Sequence, residues 1–543
     1  MVRNFTIRIM TVVVALGMGA HAQAFPRASY FHDFFVRAHN SPQIKGPQSL
    51  EDYVSGGKLT LSLEDAIKLT LANNTDLRIS SLQVDSAQFS LLKSQSLFDP
   101  LIVTSFNPAR NTSPTTTELA GAQTLTSLSQ TYQSQYTQLF GTGTTYQVTM
   151  AASKFTTNST FATLNPSITS GLTVSLTQPL LRGRGWFLTH APILVAQRNV
   201  KQSRENFGIT VNDTILLAIN DYWNLVQAQK NLAVIQESLK LAQASYDHDK
   251  RALELGAISN LDIYRSQAQV AQVNLQLLQA QLQVKTAETE LRRVIGADLK
   301  ASIAALDLNL TEPAEPTGEL ATVDLAPALA KAFQKRPELG SVRVDEENAQ
   351  TSIKVATNGL KPNLSVGGFY TMNGIGGNQI DSSTGLVSSS GGLLDSFGQL
   401  GSLNYPSYGM SLTLSLPLRN RSAEADLGNA MLQQKRALYT ERQREQAIQQ
   451  ELKNAIDNLE QAKLSIAAAK VNRELAQKNL EAEQRKYELG VDTIFFVLDA
   501  QNQRSQAEQS LVSAEIGYQR ALANVDHATG ELLDKHRVML AQP

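Results

Sequence analysis

Cysteine is absent from all 543 residues. No disulfide, thiolate nucleophile, cysteine-held metal or lipidated N-terminal cysteine is open to this chain. Neither charge is in excess: 48 Lys and Arg stand against 49 Asp and Glu, so the basic field that binds nucleic acid is missing. The seven histidines (His21, His32, His39, His190, His248, His527, His536) are scattered and never take metal-ligand spacing. No Gly-x-Ser-x-Gly elbow or phosphate loop occurs. Gly374-Ile375-Gly376-Gly377 is glycine-rich but reads as a loop without a strand–turn–helix frame. These absences point away from an enzyme, with no catalytic, cofactor or metal site expected. Beyond residue 24 no apolar run reaches 18 residues, so any crossing of a membrane must use a closed β-barrel.

The N-terminus carries a different signal. Arg3 and Arg8 make a basic start, Ile9 to Ala20 are largely apolar, and Ala22-Gln23-Ala24 has the small-x-small form of a cleavage site. Residues 1–24 therefore read as a signal peptide cut after Ala24. The apolar core falls well short of the ~20 residues that span a bilayer as a helix. Residues 25–60 read as an N-terminal periplasmic segment.

The rest of the chain is one plan written twice, as repeats over 61–318 and 319–543. At an offset of 262, Leu63 meets Leu325, Ala66 meets Ala328, Leu77 meets Leu339 and Pro100 meets Pro362. At an offset of 234, Asn224-Leu225 meets Asn458-Leu459, and Glu254-Leu255-Gly256 meets Glu488-Leu489-Gly490. Gly296 then meets Gly530. The offset changes only across the middle, so the extra residues there are expected to be surface loops. Each half predicts a helix (63–98; 325–360), a Gly-, Ser- and Thr-rich β segment (100–181; 362–418) and a very long helix (187–254; 421–488). A glycine break and a last helix complete it. The hairpin tips fall near 256 and 490.

The helices are amphipathic. Leu261, Tyr264, Ala268, Ala271, Leu275, Leu278 and Leu282 recur every three or four residues, as do Ala507, Leu511, Ala514, Tyr518, Ala521 and Val525. That 3.5-residue period is a coiled-coil seam. A helix of ~68 residues is on the order of 100 Å long, so it spans distance rather than framing a catalytic pocket. The β segments alternate instead. Leu172, Val174 and Leu176 interleave with Thr173, Ser175 and Thr177; Met410, Leu412, Leu414 and Leu416 interleave with Ser411, Thr413 and Ser415. Such strands put lipid on one face and water on the other. Segments 111–131 and 373–406 read as long external loops, and Phe98, Phe106, Trp186 and Phe187 as an interfacial belt. About four membrane strands per chain are expected, with a further hairpin open near 129–155. Four cannot close a barrel, so an oligomer is required.

In this order of elements the chain resembles the TolC-like outer-membrane efflux family over nearly all of its mature length. Leu176-Thr177-Gln178-Pro179-Leu180-Leu181-Arg182-Gly183 and Leu414-Ser415-Leu416-Pro417-Leu418 look like the family's strand-to-helix exits. Glu254-Leu255-Gly256 and Tyr487-Glu488-Leu489-Gly490 look like its periplasmic tips. The resemblance implies an α+β, internally duplicated fold. It implies a homotrimer with a 12-stranded barrel in outer-membrane lipid, continued by a 12-helix periplasmic tunnel. Its partners would be a periplasmic adaptor (membrane fusion) protein and an inner-membrane pump of the RND or ABC type. The resemblance marks Leu255, Gly256, Ala257, Leu489, Gly490 and Val491 as adaptor contacts. It marks Tyr487 as a gate tyrosine, with Asp262 and Asp499 at the narrow end. Two positions depart from the family: Asp492 stands where an arginine is usual, and Phe496 where an aspartate is. The implied function is the outer-membrane duct of a tripartite efflux pump. A duct for type I protein secretion would share the architecture; a periplasmic coiled-coil scaffold would lack the alternating strands.

Overall fold

The computed structural model describes residues 49–115, 121–256, 258–316, 318–381 and 384–536. The expected signal peptide, most of the 25–60 segment and the tip residue Ala257 lie outside the described residues.

In chain order the elements are β1 (Val54–Ser55), β2 (Lys58–Leu61), α1 (Leu63–Asn73), α2 (Thr75–Gln95), β3 (Leu101–Pro114) and β4 (Thr124–Leu139). Next come β5 (Thr145–Thr157), β6 (Leu164–Pro179), α3 (Trp186–Glu254), α4 (Asn260–Ile295), β7 (Asp307–Leu310), α5 (Leu325–Lys335) and α6 (Pro337–Gly359). The chain continues with β8 (Asn363–Ile380), β9 (Val387–Ser389), α7 (Leu393–Leu400), β10 (Pro406–Ser415), α8 (Arg421–Glu488) and α9 (Ile494–Thr529). The duplication is structural: adding 234 to the ends of α4 gives the ends of α9. The chain divides into two units, one with Phe89–Arg198 and Glu347–Gln434, the other with Ile44–Gln88, Asn199–Glu346 and Lys435–Pro543.

The first unit holds an antiparallel sheet in the order β10-β8-β6-β5-β4-β3, with β9 paired to β8 beside that path. It contains six long strands among the described residues: the expected four and, as β4 and β5, the further hairpin left open near 129–155. The residues that change the repeat offset are paired strands of this sheet rather than surface loops: β4 and β5 form a hairpin about Gly141-Thr142-Gly143, and β4 pairs with β3 along the whole of β3. Most of the expected loop 111–131 is therefore strand. Gly374–Gly377 likewise lies inside β8 and not in a loop. The reason is compositional, since Ser, Thr and Gln suit a wet strand face as well as a loop.

Register assigns each residue to a face. Ile102, Phe106, Tyr132, Tyr136, Tyr146, Val148, Met150, Leu172, Val174 and Leu176 share one face. Tyr370, Met372, Met410, Leu412 and Leu414 continue it across β8 and β10. Thr104 and Ser134 interrupt this apolar face, their hydroxyls bonding each other at 3.1 Å, and toward the far ends of β3, β4 and β5 Arg110, Gln130 and Lys154 stand on it too. On β8 the face runs from Leu364 to Met372, about 27 Å along the strand, which at ~40° of tilt covers about 21 Å, most of a ~25 Å apolar band. The opposite face carries Gln133, Gln135, Gln147, Thr149, Thr173, Thr371 and Ser411, and no Asp, Glu, Lys or Arg stands on it at any paired position. Helix α7 lies against β8 and β6: the Ser396 hydroxyl bonds Ser170, and a side chain at Gly374 would strike the Ser396 carbonyl. Trp186 stacks on His190 at 4.1 Å with Phe98 at 4.7 Å from the same ring, next to the strand ends. Phe106 does not join them; it sits mid-strand opposite Tyr132.

The second unit is helical around a small sheet, β1-β2-β7. Fully buried Tyr222 donates to the Leu61 carbonyl and accepts from the Glu312 amide, both at 3.2 Å. The single helices expected over 63–98 and 325–360 are each broken, at Asn74 and at Arg336, equivalent positions of the two repeats. Asn74 turns extended, its side-chain oxygen caps Asp76 and Leu77, and its amide donates to the Val294 carbonyl. At the second break Pro337 excludes a helical Arg336. Arg336 is buried and paired with Glu338 and, at 2.6 Å, with Glu451. His527 joins this network with Nε2 2.8 Å from Asp213 and Nδ1 3.3 Å from Glu451, so it binds α9 to α3 and α8.

Burial lowers the His527 pKa, but the hydrogen bonds to Asp213 and Glu451 outweigh it and raise the value to about 9. A raised folded pKa stabilises fully below the unfolded value near 6.5, and that contribution is lost as pH climbs through about 9. The shift corresponds to roughly 3 kcal/mol at most. The midpoint of thermal loss of the helical circular-dichroism signal should fall between pH 6.5 and 9. His527→Gln should lower the midpoint at pH 6 and flatten this dependence. Identical pH profiles for variant and parent would refute the assignment.

Candidate functional site

The two long hairpins turn at glycines. Gly256 and Gly490 have φ of +73° and +71°, a region that β-carbon-bearing residues resist. A side chain at either would meet nothing within 4 Å, so the demand is made by the backbone and not by packing. Each turn ends a long helix: the Gly256 amide donates to Leu253 and the Gly490 amide to Tyr487. Ser259 and Thr493 are extended N-caps that restart α4 and α9. Leu255, Leu489 and Val491 are about four-fifths exposed, an apolar tip on each hairpin.

One to three turns back from these tips lies a polar cluster. The Tyr487 hydroxyl donates to Asp249 Oδ1 at 2.8 Å, Ser266 donates to Oδ2, and His248 Nδ1 lies 3.3 Å from Oδ1. Asp249 is fully buried. The bond joins α8 to α3, and Ser266 adds α4. Burial, the bond to Asp249, and the charges of Asp249 and Asp262 all raise the Tyr487 pKa, so the phenol stays a donor across physiological pH. A second polar layer lies further from the tips. Gln269 and Asn502 exchange side-chain hydrogen bonds at 2.7 and 3.4 Å, and Gln501 donates to Ser245 at 3.0 Å. The hairpins are thus tied near their tips by a few directional bonds.

Of the expected gate residues Tyr487 belongs to this cluster and Asp262 lies beside it, its backbone carbonyl 3.4 Å from the Ser266 hydroxyl, while the other carboxylates have local partners. Asp262 accepts from Ser259 at 2.8 Å and lies 3.7 Å from Arg265. Asp499 accepts from Gln503 at 2.7 Å, and Asp492 from the Thr493 amide at 2.9 Å. The start of α9 buries Ile494, Val497 and Leu498 against Leu480 and Tyr487. Phe495 and Phe496 are left about half exposed, edge to face at 5.4 Å. Nothing in the sequence pattern singles out Asp249 or Ser266. Asp249 sits in the run Asp247-His248-Asp249-Lys250-Arg251, which reads as a solvated face; only the fold shows its burial.

A protein-family model described as outer membrane efflux protein matches residues 66–297 and 328–531. The chain belongs to the outer membrane efflux protein family. It is 23% identical over 479 residues to the probable efflux pump outer membrane protein TtgC of Pseudomonas putida, covering 86% of this chain and 83% of that one. It is 22% identical over 362 residues to the outer membrane protein TolC of Vibrio cholerae, covering 67% and 77%. The fold also matches the crystal structure of CusC, described as forming a transmembrane channel, with a TM-score of 0.64 at 15% identity, covering 90% of this chain and 99% of that one. The α+β TolC-like fold expected from the repeats is thus correct. The protein is an outer-membrane efflux duct with its helical part in the periplasm.

Tyr487→Phe removes the donor while keeping the ring in its cluster. Loss of a hydrogen bond to a buried carboxylate costs about 1–3 kcal/mol, so the tips should separate more readily. Single-channel conductance in planar bilayers should rise above that of the parent. Unchanged conductance would show that this bond does not restrict the passage.

Proposed function

We propose that three copies of this chain form the duct, that the duct passes small molecules delivered by a periplasmic adaptor and an inner-membrane pump, and that the hairpin-tip end is its gate. One observation carries the reading: each chain has a membrane-type sheet whose two outer edges lack a partner strand among the described residues. The helices support it independently. The α9 stripe (Ala507, Leu511, Tyr518, Ala521, Val525) is buried within the chain, whereas Leu261, Tyr264, Leu275, Leu278 and Leu282 of α4 are exposed. Helix α4 packs on α3 through its other face, Val273 and Ala280. A 3.5-period stripe left uncovered by its own chain suits a helix of a second copy. Members of the family form trimeric channels that work with periplasmic adaptors and inner-membrane pumps.

In this reading the exposed tips dock the adaptor, and Tyr487–Asp249 with Phe495 and Phe496 holds the end shut until docking. A gate fastened by hydrogen bonds suits opening, because water can replace polar partners at little cost while it cannot replace an apolar seam. Gly256→Glu and Gly490→Glu place charge and backbone strain at the tips. Each should abolish efflux, read as drug accumulation in cells, while leaving trimer level and outer-membrane location unchanged. Full efflux by both variants would contradict tip docking; loss of the trimer would assign the glycines to folding.

A further inference from the structure

We propose that the transmembrane barrel of this duct has eighteen strands, six from each of three copies, and that the β4–β5 hairpin is a wall element that widens the pore. The inference rests on the trimeric reading above and departs from the twelve strands that the family resemblance implies.

The hairpin cannot be set aside as a loop. Among the described residues strand β3 pairs with β4 alone, from Leu101 opposite Thr137 to Pro114 opposite Thr124, so lifting the hairpin out would strip β3 of its partner. Strand β5 is paired to β6 over Thr145–Phe155. Over 131–137 and 145–151 both hairpin strands follow the two-faced pattern of their neighbours, Ser134 excepted, and Gln130 and Lys154 break it beyond that stretch. Tyr132, Tyr136, Tyr146, Val148 and Met150 extend the apolar face of Leu172, Val174 and Leu176. On the other face Gln133 donates to Gln135, Gln135 to Thr137 and Gln147 to Thr149, at 3.1–3.3 Å. An amide ladder of this kind belongs against water. Six is also an even number. With every pairing antiparallel, β10 and β3 run in opposite directions, so β10 of one copy can pair with β3 of the next and continue the alternation.

Strand number sets the width. At ~4.8 Å between strands and ~40° of tilt, eighteen strands close at a backbone diameter of about 36 Å, against about 24 Å for twelve. The lumen cross-section more than doubles. The lumen-side face carries no ionisable residue at any paired position, so this wide mouth does not sort cargo by charge. Selection falls to the hairpin-tip end, and the barrel admits bulky solutes of either charge.

Electron cryo-microscopy of the full-length protein in lipid nanodiscs should count eighteen strands around the threefold axis. Single cysteines, unique in this cysteine-free chain, supply a second measurement. A membrane-impermeant maleimide should label Gln135→Cys and Gln147→Cys and should fail to label Tyr136→Cys and Val148→Cys. A trimer with a twelve-stranded wall, and labelling of all four positions, would overturn the inference while leaving the trimeric duct standing. An assembly that is not a trimer would overturn both.

Discussion

A β-strand edge cannot be left open in hydrocarbon. Each unpaired amide or carbonyl there costs several kcal/mol, and no water is present to take its place. This chain places two such edges, β10 and β3, on either side of a sheet with a lipid-compatible face. That single requirement organises the rest. In the trimer proposed above it explains why the strand number is even, which keeps pairing antiparallel where copies meet. It also explains why a chain with no helix apolar enough to cross a membrane among its described residues can still belong in one.

The helical unit answers a different demand. Here stability comes from buried apolar clusters around Tyr222 and from the network of Arg336, Glu338, Glu451, His527 and Asp213. Toward the tips the character changes. Asp249, Ser266, Gln269, Gln501 and Asn502 add directional bonds around a small apolar cluster of Leu480, Ile494, Val497 and Leu498. In the gate proposed above, firm packing at one level and polar ties at another would let the tips rearrange without loosening the whole.

Much of this architecture is legible in the residues. The duplication stands in the constant offsets, and the alternation of Leu172–Leu176 and Met410–Leu416 marks membrane strands. The 3.5-residue stripes mark helices, yet period alone does not reveal that the α9 stripe is buried and the α4 stripe bare. The β4–β5 hairpin is harder, because a strand facing water on one side needs only Ser, Thr and Gln there, the composition of a loop. Pro337 announces the break at Arg336, whereas Asn74 gives only the weak signal of an extended-prone asparagine. Asp249 is hidden for an electrostatic reason: nothing local distinguishes a buried carboxylate from the solvated ones around it until Tyr487 and Ser266 arrive from other helices.

The central claim is that the two free edges of each sheet are closed by other copies of the same chain. Because the protein has no cysteine of its own, Met410→Cys on β10 can be combined in turn with single cysteines along residues 102–110 of β3 and oxidised in native membranes. The account predicts that at least one pair yields covalent dimers and trimers on denaturing gels. Disulfides that form only within one chain, or at none of the positions, would contradict it.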